Sequence, residues 1–251
     1  MTNSGINSSC GIMQPYFLPY IGYFQLICAV DKFVIYDNIQ YTKRGWINRN
    51  RIMSNGKPKM VTLPLQSASD YLDINDRYLS REFDRKSLLR QFDGAYLRSI
   101  HYREVRPLLE AIIMYESDNL YEYVKHSIDM LLEYLEVSTE MYVSSNLPVD
   151  RSLRSENRVI ATCISLEADV YVNAIGGIEL YSSAQFNQNK LNLKFIKSRL
   201  SEYPQSGNEF IPALSIIDVM SHCSKSDVIQ MINCDFDFVD AVAVCVTDLK
   251  S

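Results

Sequence analysis

The stretch from Gly11 to Tyr36 confines the fold more than any other part of the chain. Ile12-Met13 opens a short apolar strand, and Pro15 and Pro19 then forbid regular structure and stiffen the loop that follows. Tyr20 to Val30 has helical length with Phe24, Ile27 and Cys28 on one face, and Asp31-Lys32 ends it. Phe33-Val34-Ile35-Tyr36 reads as a second strand, stopped by Asp37-Asn38. Two strands joined through a helix pair in parallel by a crossover, so the segment predicts one β-α-β unit.

Beyond it, Asn50 to Ser54 and Lys59 to Leu65 flank Asn55-Gly56, the strongest short signal for a hairpin. Phe83–Ile100, Glu104–Tyr115 and Leu120–Leu135 carry apolar residues at helical spacing, which makes the middle third a helical block. Met141 to Val143 reads as a strand returning to the sheet, and Ser152 to Leu166 as a helix with Arg151, Arg154 and Arg158 near its start. Strand–helix alternation then resumes. Asp169 to Asn173 is a strand, Gly176-Gly177 a turn into a helix around Leu180–Phe186, Leu193 to Ile196 a strand, and Leu214–Met220 the start of a last helical segment. The expected class is α/β, a nucleotidyltransferase-like (HUP-type) parallel-sheet core with a helical block inserted in the middle and a helical C-terminal part. A single compact unit is expected over 1–251, with parts at 10–80, 81–137 and 138–251.

Composition narrows the function classes. The chain of 251 residues carries a net charge of −5, so the overall electrostatic footprint of a nucleic-acid binder is missing. Locally the balance reverses: six Lys/Arg and no Asp or Glu fall between Lys43 and Lys59. That island, interleaved with Trp46, Asn48 and Asn50, points to an anionic ligand. No apolar run approaches the roughly 18 residues of a membrane span, and the polar residues 1–9 read as a loose tail without signal-peptide character. Cys10, Cys28, Cys163, Cys223, Cys234 and Cys245 lack CxxC spacing, and His101, His126 and His222 stand apart. Small buried hydrophobes in a reducing cytoplasm, with no metal site, are the expectation.

The residues that bear chemistry gather at two strand ends. Gln14, Tyr16, Tyr20, Gly22 and Tyr23 follow the first strand, where open α/β sheets bind ligands. Gly22 lacks a Cβ where a nucleotide or sugar approaches the helix start. Asp37 and Asn38 end the second strand, and an acid there binds a hydroxyl or acts as a base. Lys43, Arg44, Trp46, Asn48 and Arg49 supply cations for phosphate and a flat surface for a base or sugar. Candidate catalytic residues are thus Asp37, Gln14, Tyr23 and Lys43, and the others are candidate substrate contacts. Gly176, Gly177, Tyr203 and Gln205 join that substrate-binding set from the later segment. Asp218 lies on an apolar helix, where a carboxylate is costly unless paired, so either an arginine partner or a binding role is expected for it. There is no GxSxG, no paired Cys and His, and no Walker loop, which favours positioning and charge stabilisation over covalent catalysis.

MQPYFLPYIGYFQLI at Met13–Ile27, DKFVIYDNIQYTKRGWINRNRI at Asp31–Ile52, VTLPL at Val61–Leu65, YVNAIGG at Tyr171–Gly177 and YPQSGNEFIPALSIID at Tyr203–Asp218 together resemble the WbqC-like protein family over most of the chain. Such proteins are associated with bacterial surface-polysaccharide clusters, including O-antigen and lipopolysaccharide synthesis. The resemblance implies a glycine or aminoacyl transferase. Around Tyr20-Ile21-Gly22-Tyr23 the order of elements is also similar to HxGH-type nucleotidyltransferases and pantothenate synthetases, with tyrosine in both signature histidine positions.

The leading expectation is a cytoplasmic enzyme that joins an amino acid, glycine foremost, to the amino group of a nucleotide-linked amino sugar. Its donor would be glycine activated by ATP with magnesium, or a glycyl-tRNA; no resident cofactor is implied. Alternatives are a non-catalytic nucleotide-sugar or glycan-binding subunit of an assembly complex, and a glycosyltransferase using Asp73-Ile74-Asn75-Asp76. The tyrosine-rich loop also suits a homodimer interface.

Overall fold

The computed structural model describes residues 8–205 and 209–240. The expected unit at the start forms. Strand β1 (Ser9–Met13) pairs in parallel with β2 (Lys32–Ile35) after helix α1 (Ile21–Cys28). The prolines keep residues 14–20 out of the helix, which therefore begins one residue after Tyr20. The hairpin is β3 (Arg49–Ser54) against β4 (Lys57–Thr62). Its two turn residues, Asn55 and Gly56, have φ of 51° and 72°, the pair of left-handed conformations that a tight two-residue turn needs.

Three helices follow: α2 (Arg85–Tyr96), α3 (Tyr102–Ile113) and α4 (Leu120–Tyr134). Asp84 and Asn119 set the starts of α2 and α4, accepting from the backbone N–H of Ser87 and Glu122. The chain then returns as β5 (Glu140–Val143), beside β2. Helix α5 (Ser155–Ser165) starts later than apolar spacing suggests, because the Asp150 carboxylate accepts from Ser152 N and Oγ and holds a turn there. Strand β6 (Val170–Ala174) leads into a 3-10 segment at Ile175–Leu180, then α6 (Ser183–Gln188) and β7 (Asn192–Ser198). Helices α7 (Ile216–His222) and α8 (Lys225–Cys234) follow. A last strand, β8 (Phe236–Asp240), goes unmarked in the sequence reading; it pairs antiparallel with β7, and its half-exposed pattern hides the alternation.

The six strands run in the order β5-β2-β1-β6-β7-β8, all neighbours parallel except β7 and β8. This mostly parallel sheet is the expected α/β, nucleotidyltransferase-like core. Strand alternation divides the interior between its faces. Phe33, Ile35, Val172 and Ile196 pack with α1, the hairpin, α2–α4, α7 and α8, whereas Cys10, Ile12, Val34 and Tyr171 pack with α5 and α6. Strand order reverses at β1, which runs first towards β2 and later resumes at β6 on its other side. The carboxyl ends of β1 and β6 therefore leave a crevice between them.

Cys10, Cys163 and Cys223 are buried, Cys28 is half-buried and Cys234 is exposed, so the buried-hydrophobe reading fails at Cys234. Cys245 lies outside the described residues, as does the expected tail apart from Ser8 and Ser9. Among the described residues no helix is long and apolar enough to cross a membrane.

Candidate functional site

The crevice is a cleft of about 480 Å³. Met13 and Gln14 at the end of β1 and Asn173 and Ala174 at the end of β6 form its floor, with Tyr16, Tyr20, Gly22, Tyr23, Trp46, Gly176, Gly177 and Tyr181 around it. One wall is the loop from Gln14 to Tyr20, and it is fastened at nearly every residue. Phe17 N donates to Ile47 O, Asn50 Nδ2 donates to the carbonyls of Phe17 (3.1 Å) and Leu18 (2.5 Å), and Ser215 Oγ donates to Leu18 O. Ile216 N closes the set on Pro19 O at 2.8 Å. These bonds hold Leu18 at φ 44°, a conformation that costs a side-chain-bearing residue about 1–2 kcal/mol.

Of the residues expected to act together, the cleft gathers Gln14, Tyr16, Tyr20, Gly22, Tyr23, Trp46, Gly176 and Gly177. Tyr23 is buried and donates from its hydroxyl to Gln14 O at 3.1 Å, tying helix α1 to the loop. Burial pushes the phenols of Tyr16, Tyr20 and Tyr23 above their ordinary value. At neutral pH they stay protonated, as hydrogen-bond donors and acceptors. Gly22 has a packing reason as well: a Cβ there would come within 2.4 Å of the Tyr20 ring and 2.7 Å of Ser198 Oγ. Gly177 likewise leaves room for the Asn173 amide, while a Cβ on Gly176 would meet nothing within 4 Å.

Trp46 stands between this cleft and a second hollow of about 390 Å³, sharing both positions with Tyr16 and Tyr20. Arg49 and Arg51 lie over its ring at 5.8 and 5.7 Å. Both arginines are also engaged with backbone: Arg49 donates to the carbonyls of Gly45 and Arg44, and Arg51 to that of Ala213 at 3.2 Å. The basic island thus braces its own loop around the tryptophan, and Arg44 itself turns it at φ 63°.

The other expected residues lie apart from the cleft. Lys43 is exposed and paired with Asp70 at 2.8 Å. Asn48 is buried between the Tyr41 hydroxyl and Leu63 O, both at 2.8 Å. Asp37 is 1% exposed; Oδ1 accepts from Ser145 N at 2.9 Å and Oδ2 from Asn75 Nδ2 at 3.0 Å, so its carboxylate fastens β2 to the loops beside it. Asn38 lines a neighbouring hollow. Tyr203 and Gln205 meet at Asp218, which is fully buried: the Tyr203 hydroxyl and Gln205 Nε2 donate to Oδ2 at 2.7 and 3.1 Å. The arginine expected for Asp218 is replaced by these neutral donors, and burial together with the Asp218 charge drives the Tyr203 phenol upward. Asn173 and Tyr181 complete the cleft without having been singled out; only their nearness to Gly176-Gly177 hints at them.

A model of the WbqC-like protein family matches residues 14–230, from the first cleft residue after β1 to helix α8. The chain belongs to the WbqC-like protein family. Uncharacterized protein Rv1507c of Mycobacterium tuberculosis is 27% identical to it over 212 residues, 83% of this chain and 91% of its own length. The matched span of this WbqC-like chain begins just after β1 and takes in β6 and the cleft lining from Gln14 onward.

Proposed function

We propose that this WbqC-like protein is an aminoacyl transferase, with glycine the favoured acyl group, acting on the amino group of a nucleotide-linked amino sugar for surface polysaccharide. The observation that carries the reading is the lining of the switch-point cleft: aromatic faces from Tyr16, Tyr20 and Trp46 beside the amides of Gln14 and Asn173. Flat rings cover the apolar face of a sugar, and amides bond its hydroxyls. In the reaction the acceptor amine attacks the carbonyl carbon of an activated glycyl ester, either an adenylate or glycyl-tRNA. The new C–N bond forms, the C–O bond to the leaving group breaks, and the amine proton passes to solvent or the departing oxygen. Gln14 and Asn173 orient the amine and carbonyl, a positioning role. Tyr23 holds the Gln14 backbone in place, and Asp37 acts through the loops it fastens.

The test is mass spectrometry of an amino-sugar nucleotide incubated with purified protein, glycine and ATP, and separately with glycyl-tRNA. An amide adduct with either donor is expected. Tight binding of the sugar nucleotide with no adduct from either donor would sink the transferase reading and reassign the protein as a binding subunit.

A further inference from the structure

A hollow of about 440 Å³ adjoins the cleft across Tyr36 and Ile39, which line both. Its lining holds three arginines, Arg151, Arg154 and Arg158, against one carboxylate, Asp73. Among the described residues none of the three makes an ion pair within 4.0 Å. Arg158 is the most telling. It is 7% exposed, lies over the Tyr36 ring at 5.0 Å, and donates from Nη1 to Asn38 O at 3.2 Å, while its Nε is buried with no partner among the described residues. A guanidinium out of water without a counter-charge is costly, since its lost hydration is not replaced.

The surroundings add to that cost. Arg154 is the N-cap of α5 and its side chain caps nothing, so the first turn of this helix, beside the hollow, has no side-chain cap from that residue. The positive end of the helix dipole lies there too, where cations are disfavoured and anions favoured. The Glu156 carboxylate in the first turn accepts from Ser182 N and does not line the hollow. Asp73, the one carboxylate in the lining, is itself partly desolvated; burial, then the Asp76 charge, raises its pKa against the opposing pull of Arg158 and Arg154.

We propose that this hollow is a phosphate-binding site, in which Arg158 and the start of α5 hold a phosphate or diphosphate and Arg151 and Arg154 close over it from the solvent side. The chemistry of the site is a fork of guanidinium donors plus backbone N–H groups, which suits tetrahedral oxyanions. Resting on the function proposed above, the diphosphate is that of the nucleotide sugar, reaching past Tyr36 so that its sugar lies in the aromatic cleft. The basic island, in which Arg49 is bonded to the carbonyls of Gly45 and Arg44 and Arg51 to that of Ala213, is then not the phosphate site.

Calorimetric titration with inorganic pyrophosphate tests this on the full chain, with circular dichroism as the check on folding. Pyrophosphate is expected to bind, with affinity that falls as salt rises. Arg154→Ala, an exposed change, should weaken it about tenfold, Arg158→Gln by at least as much, and Lys59→Ala on the hairpin should leave it unchanged. No binding by the wild type, or equal weakening in all three variants, would overturn the site. UDP- and dTDP-amino sugars that lose affinity in the same two variants support the acceptor as the source of the phosphate. Loss of ATP binding alone in those variants overturns that assignment. Pyrophosphate binding without amide formation keeps the site and removes the transferase; amide formation without pyrophosphate binding does the reverse.

Discussion

Trp46 is the only tryptophan of the chain, 41% exposed, and borders two hollows at once. Its emission therefore reports on one place in the protein, where the cleft and the second hollow meet. Adding an amino-sugar nucleotide should change the fluorescence excited at the tryptophan band; an unchanged spectrum at saturating ligand would remove Trp46 from the binding surface. Trp46→Ala should weaken that ligand while moving the urea midpoint little, since so exposed a ring adds little to the core. Asn50 behaves oppositely. Its amide is buried and bonds two successive carbonyls of the cleft wall, so Asn50→Ala strands Phe17 O and leaves Leu18 O to Ser215 Oγ. A loss of about 2–4 kcal/mol in urea unfolding is expected, and a loss under half of that would mean the loop holds itself.

The elements show where local chemistry decides. Asn55-Gly56 makes a hairpin because both residues tolerate positive φ. Gly56→Ala meets no steric neighbour, yet puts a Cβ at φ 72° and should cost about 1–2 kcal/mol in thermal or urea unfolding. An unchanged stability would place the turn's strain elsewhere. Helix α1 is different in kind. Residues Ile21 to Ile27 are all buried, so it is held by packing on both the sheet and α8 more than by a cap or surface pairs. Gln25 inside it donates from Nε2 to the carbonyls of Met231 and Asp235, more than two hundred residues away.

Across the whole molecule, burial sets the response to pH. The thiols of Cys28 and Cys223 are pushed up to about 11 by burial, from an ordinary value of 9.0. The buried tyrosines move in the same direction. Each thiol binds its proton more tightly when folded, so its contribution to stability is fully present below pH 9 and is lost as pH rises through 11, whereas that of the tyrosines is fully present up to their ordinary value of 10.0. Urea midpoints should be flat between pH 7 and about 8.5 and fall above it. A midpoint that holds to pH 11 would contradict the burial of these groups.

The sequence by itself determined the β-α-β start, the hairpin, the three middle helices and the parallel class of the sheet. Each rests on interactions between near neighbours: prolines that stop a helix, an Asn-Gly pair that turns a strand, apolar residues repeating every three or four positions. It also marked Gln14 to Tyr23 and Trp46 as belonging to one site, because the end of β1 is where such a sheet opens. Tertiary structure alone decided the rest. Asp37, Asn48, Tyr203 and Gln205 carry the same polar groups as a binding residue, and only their distant partners, Ser145, Asn75, Leu63 and Asp218, reveal that they brace the fold. The arginines of residues 49–51 and 151–158 likewise look alike along the chain. Arg49 and Arg51 bond backbone carbonyls around Trp46, whereas Arg151, Arg154 and Arg158 line one hollow with a single carboxylate, a distinction that exists only once the chain's return path is fixed.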